Sequence, residues 1–199
     1  MSRICSLVLI FCLLFYGCDK DPICGCKGIA TKTISDEIAI ITDSEIGFVL
    51  ISGTYGIFEL CDSPGELLRN SLIVKFEGNI RSNCLSTYSY GPYQEVKYRH
   101  INLATFEILP GNEDIYQSGE VEIRLIKSED YGYSSGFGYE INSGFIKITQ
   151  PFIPGGQGYR PFTTADDALK VALLVSAKIQ EFKDLPSLTE EELRFINIL

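Results

Sequence analysis

Cysteine is the residue type here with the most chemistry to offer. Seven are present, together with one histidine and no tryptophan. Cys5 and Cys12 sit in an apolar N-terminal run, Cys18 closes it, and Cys24, Cys26, Cys61 and Cys84 form an even set in the body. In an oxidising compartment four such cysteines make up to two disulfides, with three possible connectivities. A Cys61–Cys84 bridge would close one span, and Cys24 or Cys26 would instead reach Cys61; the spacing does not choose. Cys24-Gly25-Cys26 lacks the two intervening residues of a thioredoxin-type motif and the paired C-x2-C units of a structural zinc site, so no metal or cofactor is expected. His100 is the only imidazole. A general base needs partners, so a lone strand histidine reads as structural, and too few histidines remain for a His-rich zinc centre.

Carboxylates offer the next possible chemistry. Asp166-Asp167 and Glu190-Glu191-Glu192 fall where helices start, and negative charge there opposes the positive end of the helix dipole. Gly132, Gly136 and Gly138 lack the spacing and the lysine of a phosphate loop. Gln150-Pro151-Phe152-Ile153-Pro154 reads as a strand exit stiffened by two prolines. No catalytic residue is assigned. A carboxylate hydrolase acting on glycan or peptide stands as the alternative, requiring two acids in one cleft. A net charge of −9 argues against a nucleic-acid groove, which needs a basic stripe.

Residues 82–98 carry Tyr88, Tyr90, Tyr93 and Tyr98 among Ser, Gly and Pro. The stretch reads as a long loop, and its rings make it the candidate contact surface, because tyrosine covers area at modest entropic cost.

The N-terminus reads as an address. Arg3 is the only charge before Asp19, and residues 4–16 form an uncharged apolar run shorter than the ~20 residues a spanning helix needs. That is the anatomy of a secretory signal, expected over residues 1–17. Leu14-Phe15-Tyr16-Gly17-Cys18 resembles a bacterial lipobox, with Phe15 and Tyr16 departing from its usual residues. The resemblance implies acylation of Cys18 and anchoring in the cell envelope, expected at the outer membrane on its periplasmic face or at the cell surface. Two or more acyl chains anchor stably.

The elements that would position these groups fall in two halves. Residues 18–35 read as a lipidated tether. Residues 36–110 hold short Ile/Val/Phe-rich runs separated by turn residues, which predicts a small antiparallel β-barrel, OB-like in its strand count. The sequence Pro110-Gly111-Asn112-Glu113-Asp114 marks a boundary. Residues 115–199 predict a β-sheet carrying one packed helix and a short terminal helix. The longer helix starts at Thr164 and presents Ala168, Val171, Ala172, Val175, Ile179 and Phe182 as an apolar stripe. Thr189 and Glu192 cap the short helix. The fold class is therefore α+β.

Gly136-Phe137-Gly138-Tyr139-Glu140-Ile141, Gln150-Pro151-Phe152-Ile153-Pro154 and Phe162 through Ala168 resemble, in this order, the domain-of-unknown-function family 4907 found in Bacteroidota lipoproteins. The resemblance covers about residues 120–198. It implies an envelope address and a fold, but no activity. More weakly, Cys61-Asp62-Ser63-Pro64 and Val74-Lys75-Phe76-Glu77-Gly78 resemble small lipoprotein barrels of the same bacteria. The expected function is a lipid-anchored, non-catalytic binding or interaction module with an envelope protein or glycan as partner. A structural subunit of an envelope complex is a further alternative.

Overall fold

The computed structural model describes residues 24–199 except 63–64, 68, 92–93, 112, 145, 156–157 and 183–185, and except the side chains at 66, 83 and 94. Nine strands and two α-helices are described, a mostly antiparallel α+β architecture. A 3-10 turn at Gly25–Lys27 precedes β1 (Ala30–Ser44), β2 (Gly47–Ser52), β3 (Gly56–Leu60), β4 (Leu72–Gly91) and β5 (Gln94–Ile108). These pair in the order β1-β2-β3-β5-β4, and β4 returns to β1. The C-terminal half comprises β6 (Ile115–Ser118), β7 (Val121–Lys127), β8 (Phe137–Ser143) and β9 (Ile146–Gln150), then α1 (Ala165–Phe182) and α2 (Glu190–Phe195). Its sheet runs β6-β7-β8-β9.

Several expectations need correction. The N-terminal unit is not a plain antiparallel barrel. Its β3–β5 seam is parallel and only three pairs long: Phe58–Arg99, Glu59–His100 and Leu60–Ile101. Three of its strands are long, β1 and β5 at 15 residues and β4 at 20, and the far ends of β4 and β5 pair as an arm. The tether expected to reach residue 35 ends earlier, because β1 already begins at Ala30. The second sheet has four strands, and β6 (Ile115–Ser118) is one that the sequence pattern did not mark. Its four residues were too few to register as an alternating pattern.

Burial explains the unbroken apolar runs. Residues 39–42 of β1 and 49–52 of β2 are buried at every position. Ala39, Ile41 and Leu50 point into the five-stranded unit with Phe58, Val74, Phe76 and Ile101. Their neighbours Ile40, Val49 and Ile51 point the other way, into a second cluster with Tyr116, Ile123, Tyr139, Leu169 and Leu173. The strands therefore lose the in/out alternation of a half-solvated sheet. Helix α1 fills the space between, buried at every residue from Ala168 through Ala177, as a helix apolar all round must be. The two halves share this cluster, so the connection at 110–114 does not separate two cores.

The local signals for the helices are visible. Asp167 N–H donates to Thr164 Oγ1 at 3.1 Å. Thr189 and Glu192 form a capping box. One stripe residue departs from expectation: Phe182 is 67% exposed, because α1 runs beyond the sheet it packs on.

Candidate functional site

The cysteines pair as Cys24–Cys84 and Cys26–Cys61. Both bonds tie the 3-10 turn to the five-stranded unit, one to the start of the β4 arm and one to the end of β3. Cys18 and the lipobox lie outside the described residues.

Beneath the turn sits His100, 6% exposed. Register brings it there: His100 pairs with Glu59 across the parallel seam and with Arg81 on β4. Its Nε2 lies 3.1 Å from Glu59 Oε2 and 3.4 Å from Ser86 Oγ. Its Nδ1 is buried without a hydrogen-bond partner. Gly25 adopts φ +81°, a left-handed conformation that favours glycine. A Cβ added there would sit 3.6 Å from the imidazole Nε2, so the backbone of the turn lies over the ring. As a result, Sγ of Cys26, a carboxylate oxygen of Glu59 and a ring nitrogen of His100 all lie within 4.8 Å of one another. The sequence reading missed this cluster because its members come from three segments joined only by non-local pairing.

The tyrosine segment is not a loop. Tyr88 and Tyr90 lie on β4 and Tyr98 on β5, with Tyr88 opposite Val96 and Ser86 opposite Tyr98. Tyr93 lies outside the described residues. The Tyr88 and Tyr98 rings stand 5.6 and 6.3 Å from Phe195 of α2, and Tyr90 is edge-on to Tyr88 at 5.0 Å. Burial pushes the Tyr90 and Tyr98 phenols above their ordinary values. The rings are half-buried against the shared core, so they serve first as internal packing. The arm bends at Ser82, where φ is +56° and the register shifts between Arg81 and Ser86.

Two grooves among the described residues bear on binding. One, of about 420 Å3, runs between the five-stranded unit and α1, with Leu174 and Ala177 in its floor and Leu85, Lys97, Arg99 and Phe182 around it. Phe182 and Leu85 are exposed at 67% and 46%. The other, of about 630 Å3, lies beside β7 and β8 and carries Glu113, Asp114, Asp130 and Glu140. Glu140 Oε1 accepts from Tyr131 Oη at 2.9 Å and from Thr149 Oγ1 at 3.2 Å.

The remaining sequence candidates are structural. Gln150 Nε2 donates to Phe152 O at 2.9 Å, fixing the proline-rich exit. Asp167 pairs with Lys170 at 3.0 Å. Glu192 pairs with Lys178 at 2.7 Å, and Glu190 pairs with Arg194. Burial raises the Asp166 carboxyl above the usual range, offset in part by Lys170.

Residues 129–194 match the family model described as a domain of unknown function (DUF4907), a stretch taking in β8, β9, α1 and most of α2. No curated protein matches the chain. No solved structure matches it. No helix among the described residues is long and apolar enough to cross a membrane.

Proposed function

We propose that the protein is a bacterial lipoprotein, anchored in the cell envelope through acylated Cys18, that works as a non-catalytic module binding another envelope protein. The observation that carries this reading is the groove between the five-stranded unit and α1. The strand order with its parallel β3–β5 seam supports an OB-like unit. Such units present ligands to strands 2–3 and to the loops joining strands 1–2 and 4–5. Here β2 and β3 pack on α1, and the β4–β5 arm leans on Phe195. Those surfaces are largely spent inside the chain. The neighbouring groove keeps an apolar floor, a mixed-charge rim and two exposed apolar side chains, Leu85 and Phe182. An apolar centre inside a polar rim is the anatomy of a protein interface. The two disulfides suit an oxidising envelope compartment.

The test is photocrosslinking in intact cells from the full-length acylated protein, with the reactive group placed at Leu85 or at Phe182. One shared protein adduct from both positions, lost in Phe182→Asp, supports the reading. Absence of an adduct from both positions overturns it, and a glycan adduct moves the partner to the other class.

A second reading, a carboxylate-based hydrolase of envelope glycan or peptide, draws on the larger groove and on the held position of Glu140. It requires that Glu140→Gln abolish release of fragments from the organism's own envelope polymer. An inert wild-type protein removes it.

A further inference from the structure

We propose that Cys26, Cys61, Glu59 and His100 form a redox-gated site for a thiophilic divalent cation of the Zn2+ type, available once the Cys26–Cys61 disulfide is reduced. This inference is independent of the binding groove and needs no partner protein.

The geometry already converges. Three donors of different character, Sγ of Cys26, a Glu59 oxygen and a His100 nitrogen, lie within 4.8 Å of one another. Cys61 Sγ is bonded to Cys26, so reduction leaves a second sulfur beside the first. Two thiolates, one imidazole and one carboxylate are a tetrahedral zinc donor set, with metal–ligand bonds of about 2.0–2.3 Å. Closing a 4.8 Å separation onto such bonds requires a contraction of about 1 Å, well within the freedom of a surface turn. In the disulfide form the sulfurs carry no charge and ligate poorly, because the thiolate is the ligand. His100 is 6% exposed, and its Nε2 is the nitrogen that faces the carboxylate, 3.1 Å from Glu59 Oε2.

The second disulfide makes the gate workable. Cys24–Cys84 anchors the chain two residues before Cys26. Gly28 N–H closes the turn on Gly25 O at 2.9 Å. Opening Cys26–Cys61 therefore leaves Cys26 held above His100. The chemistry balances with a dithiol as reductant. Its thiolate attacks one sulfur of the Cys26–Cys61 bond and forms a mixed disulfide. The second dithiol sulfur then displaces the remaining cysteine. Two electrons pass from the dithiol, which leaves as a cyclic disulfide, and Cys26 and Cys61 become thiols. The cation binds both sulfurs and two thiol protons go to solvent. A coordinate cross-link then stands where the covalent one stood.

The test uses Co2+ as a spectroscopic probe of thiolate ligation, added to detergent-solubilised full-length protein. The oxidised protein is expected to show no thiolate-to-cobalt charge-transfer band. After limited reduction with a phosphine, which does not itself supply a thiol ligand, and with retention of Cys24–Cys84 verified by peptide mapping, one equivalent of Co2+ is expected to bind with a two-thiolate band. Cys61→Ser, which keeps Cys24–Cys84, is expected to bind Co2+ without reductant through one thiolate. His100→Ala is expected to weaken binding at least tenfold in either background. Absence of the band in both the reduced protein and Cys61→Ser overturns the proposal, as does a band indifferent to His100→Ala. A Cys61→Ser protein that lacks a native circular dichroism spectrum and does not regain it on adding Co2+ overturns it as well.

Discussion

Ser118 Oγ donates to Glu37 Oε1 at 2.7 Å across 81 residues of chain, and this bond ties the C-terminal sheet to the first strand of the five-stranded unit. Glu37 is 6% exposed and sits where β1 bulges between Ile34 and Glu37. No cation faces it among the described residues. Instead its carboxylate accepts from Ser52 Oγ at 2.9 Å, Thr54 N at 3.2 Å and Thr54 Oγ1 at 2.9 Å. Gln180 of α1 closes the junction by donating to Gly53 O at 2.9 Å. A Cβ on Gly53 would overlap the Ser118 hydroxyl, so the close approach of the two halves depends on glycine there.

Glu37→Gln places an amide among hydroxyl and N–H donors, leaving at least one buried group unsatisfied. Each such loss costs about 1–3 kcal/mol. Urea denaturation is expected to show Glu37→Gln about 2 kcal/mol less stable than wild type and Ser118→Ala about 1 kcal/mol less stable. The double variant is expected to lose less than the sum, because both changes remove one bond. A single transition is expected in each case, since the halves share one core.

Lys170 is a second buried charge with a single close partner. Its side chain is 3% exposed and its Nζ lies 3.0 Å from Asp167 Oδ1. Asp167→Ala removes the only ion-pair partner of Lys170 among the described residues, while the backbone N–H that bonds Thr164 Oγ1 is kept. Breaking one side of a buried pair costs about 3–5 kcal/mol, whereas replacing both members by apolar groups is close to neutral. Asp167→Ala is therefore expected to be strongly destabilised in thermal unfolding, and adding Lys170→Met is expected to recover most of the loss. A double variant as unstable as Asp167→Ala would place the cost outside the ion pair.

Elements closed by local chemistry were legible before any coordinates. The Thr189–Glu192 capping box and the Thr164 start each lie within a few residues of their partners. The arm at residues 82–98 was not. Its Ser, Gly and Pro suggested a loop, yet residues 84–90 alternate half-buried and exposed, a strand period written in Ser and Tyr. What buries Tyr88 and Tyr98 is Phe195, some hundred residues on, and no local pattern announces it. The cluster at His100 was hidden for the same reason. Glu59 reaches it through a parallel seam of three pairs, and Cys26 reaches it through disulfide pairings that spacing leaves open. The continuous burial of α1 was also missed, because an apolar stripe says where a helix packs on one side and is silent about a second sheet.

Two tyrosines set the behaviour in alkali. Burial pushes Tyr116 up to about 12, with Glu113 and Asp166 adding to the shift, and burial alone raises Tyr139 further. In the unfolded chain both lose their protons near pH 10. Between the two values the folded state holds more protons than the unfolded state, so stability falls as pH rises. Stability is expected to be flat with respect to these groups below pH 10, then to drop by up to about 1.4 kcal/mol per pH unit for each tyrosine. Denaturation midpoints measured from pH 9 to pH 12 check the slope, and Tyr116→Phe is expected to make it shallower.

The Cys24–Cys84 bond spans 60 residues. The loop-entropy estimate for such a closure is about 4 kcal/mol. Cys24→Ser/Cys84→Ser is expected to lower stability by about that amount while leaving Cys26–Cys61 intact. Non-reducing peptide mapping of the wild type checks the pairing, and recovery there of a Cys26–Cys84 peptide would show that the turn is not fixed in its register.

Cys18→Ala separates the anchor from the body. The first described residue, Cys24, is bonded to Cys84. The variant is expected to lose incorporated acyl label and to leave the membrane fraction, because a single weak determinant does not hold a chain of net charge −9 to an anionic surface. Its midpoint in urea is expected to match that of the acylated protein within about 0.5 kcal/mol. Unchanged membrane retention of Cys18→Ala, with no acyl label in the wild type, would identify the apolar N-terminal run as an uncleaved anchor and remove acylation from the proposed function.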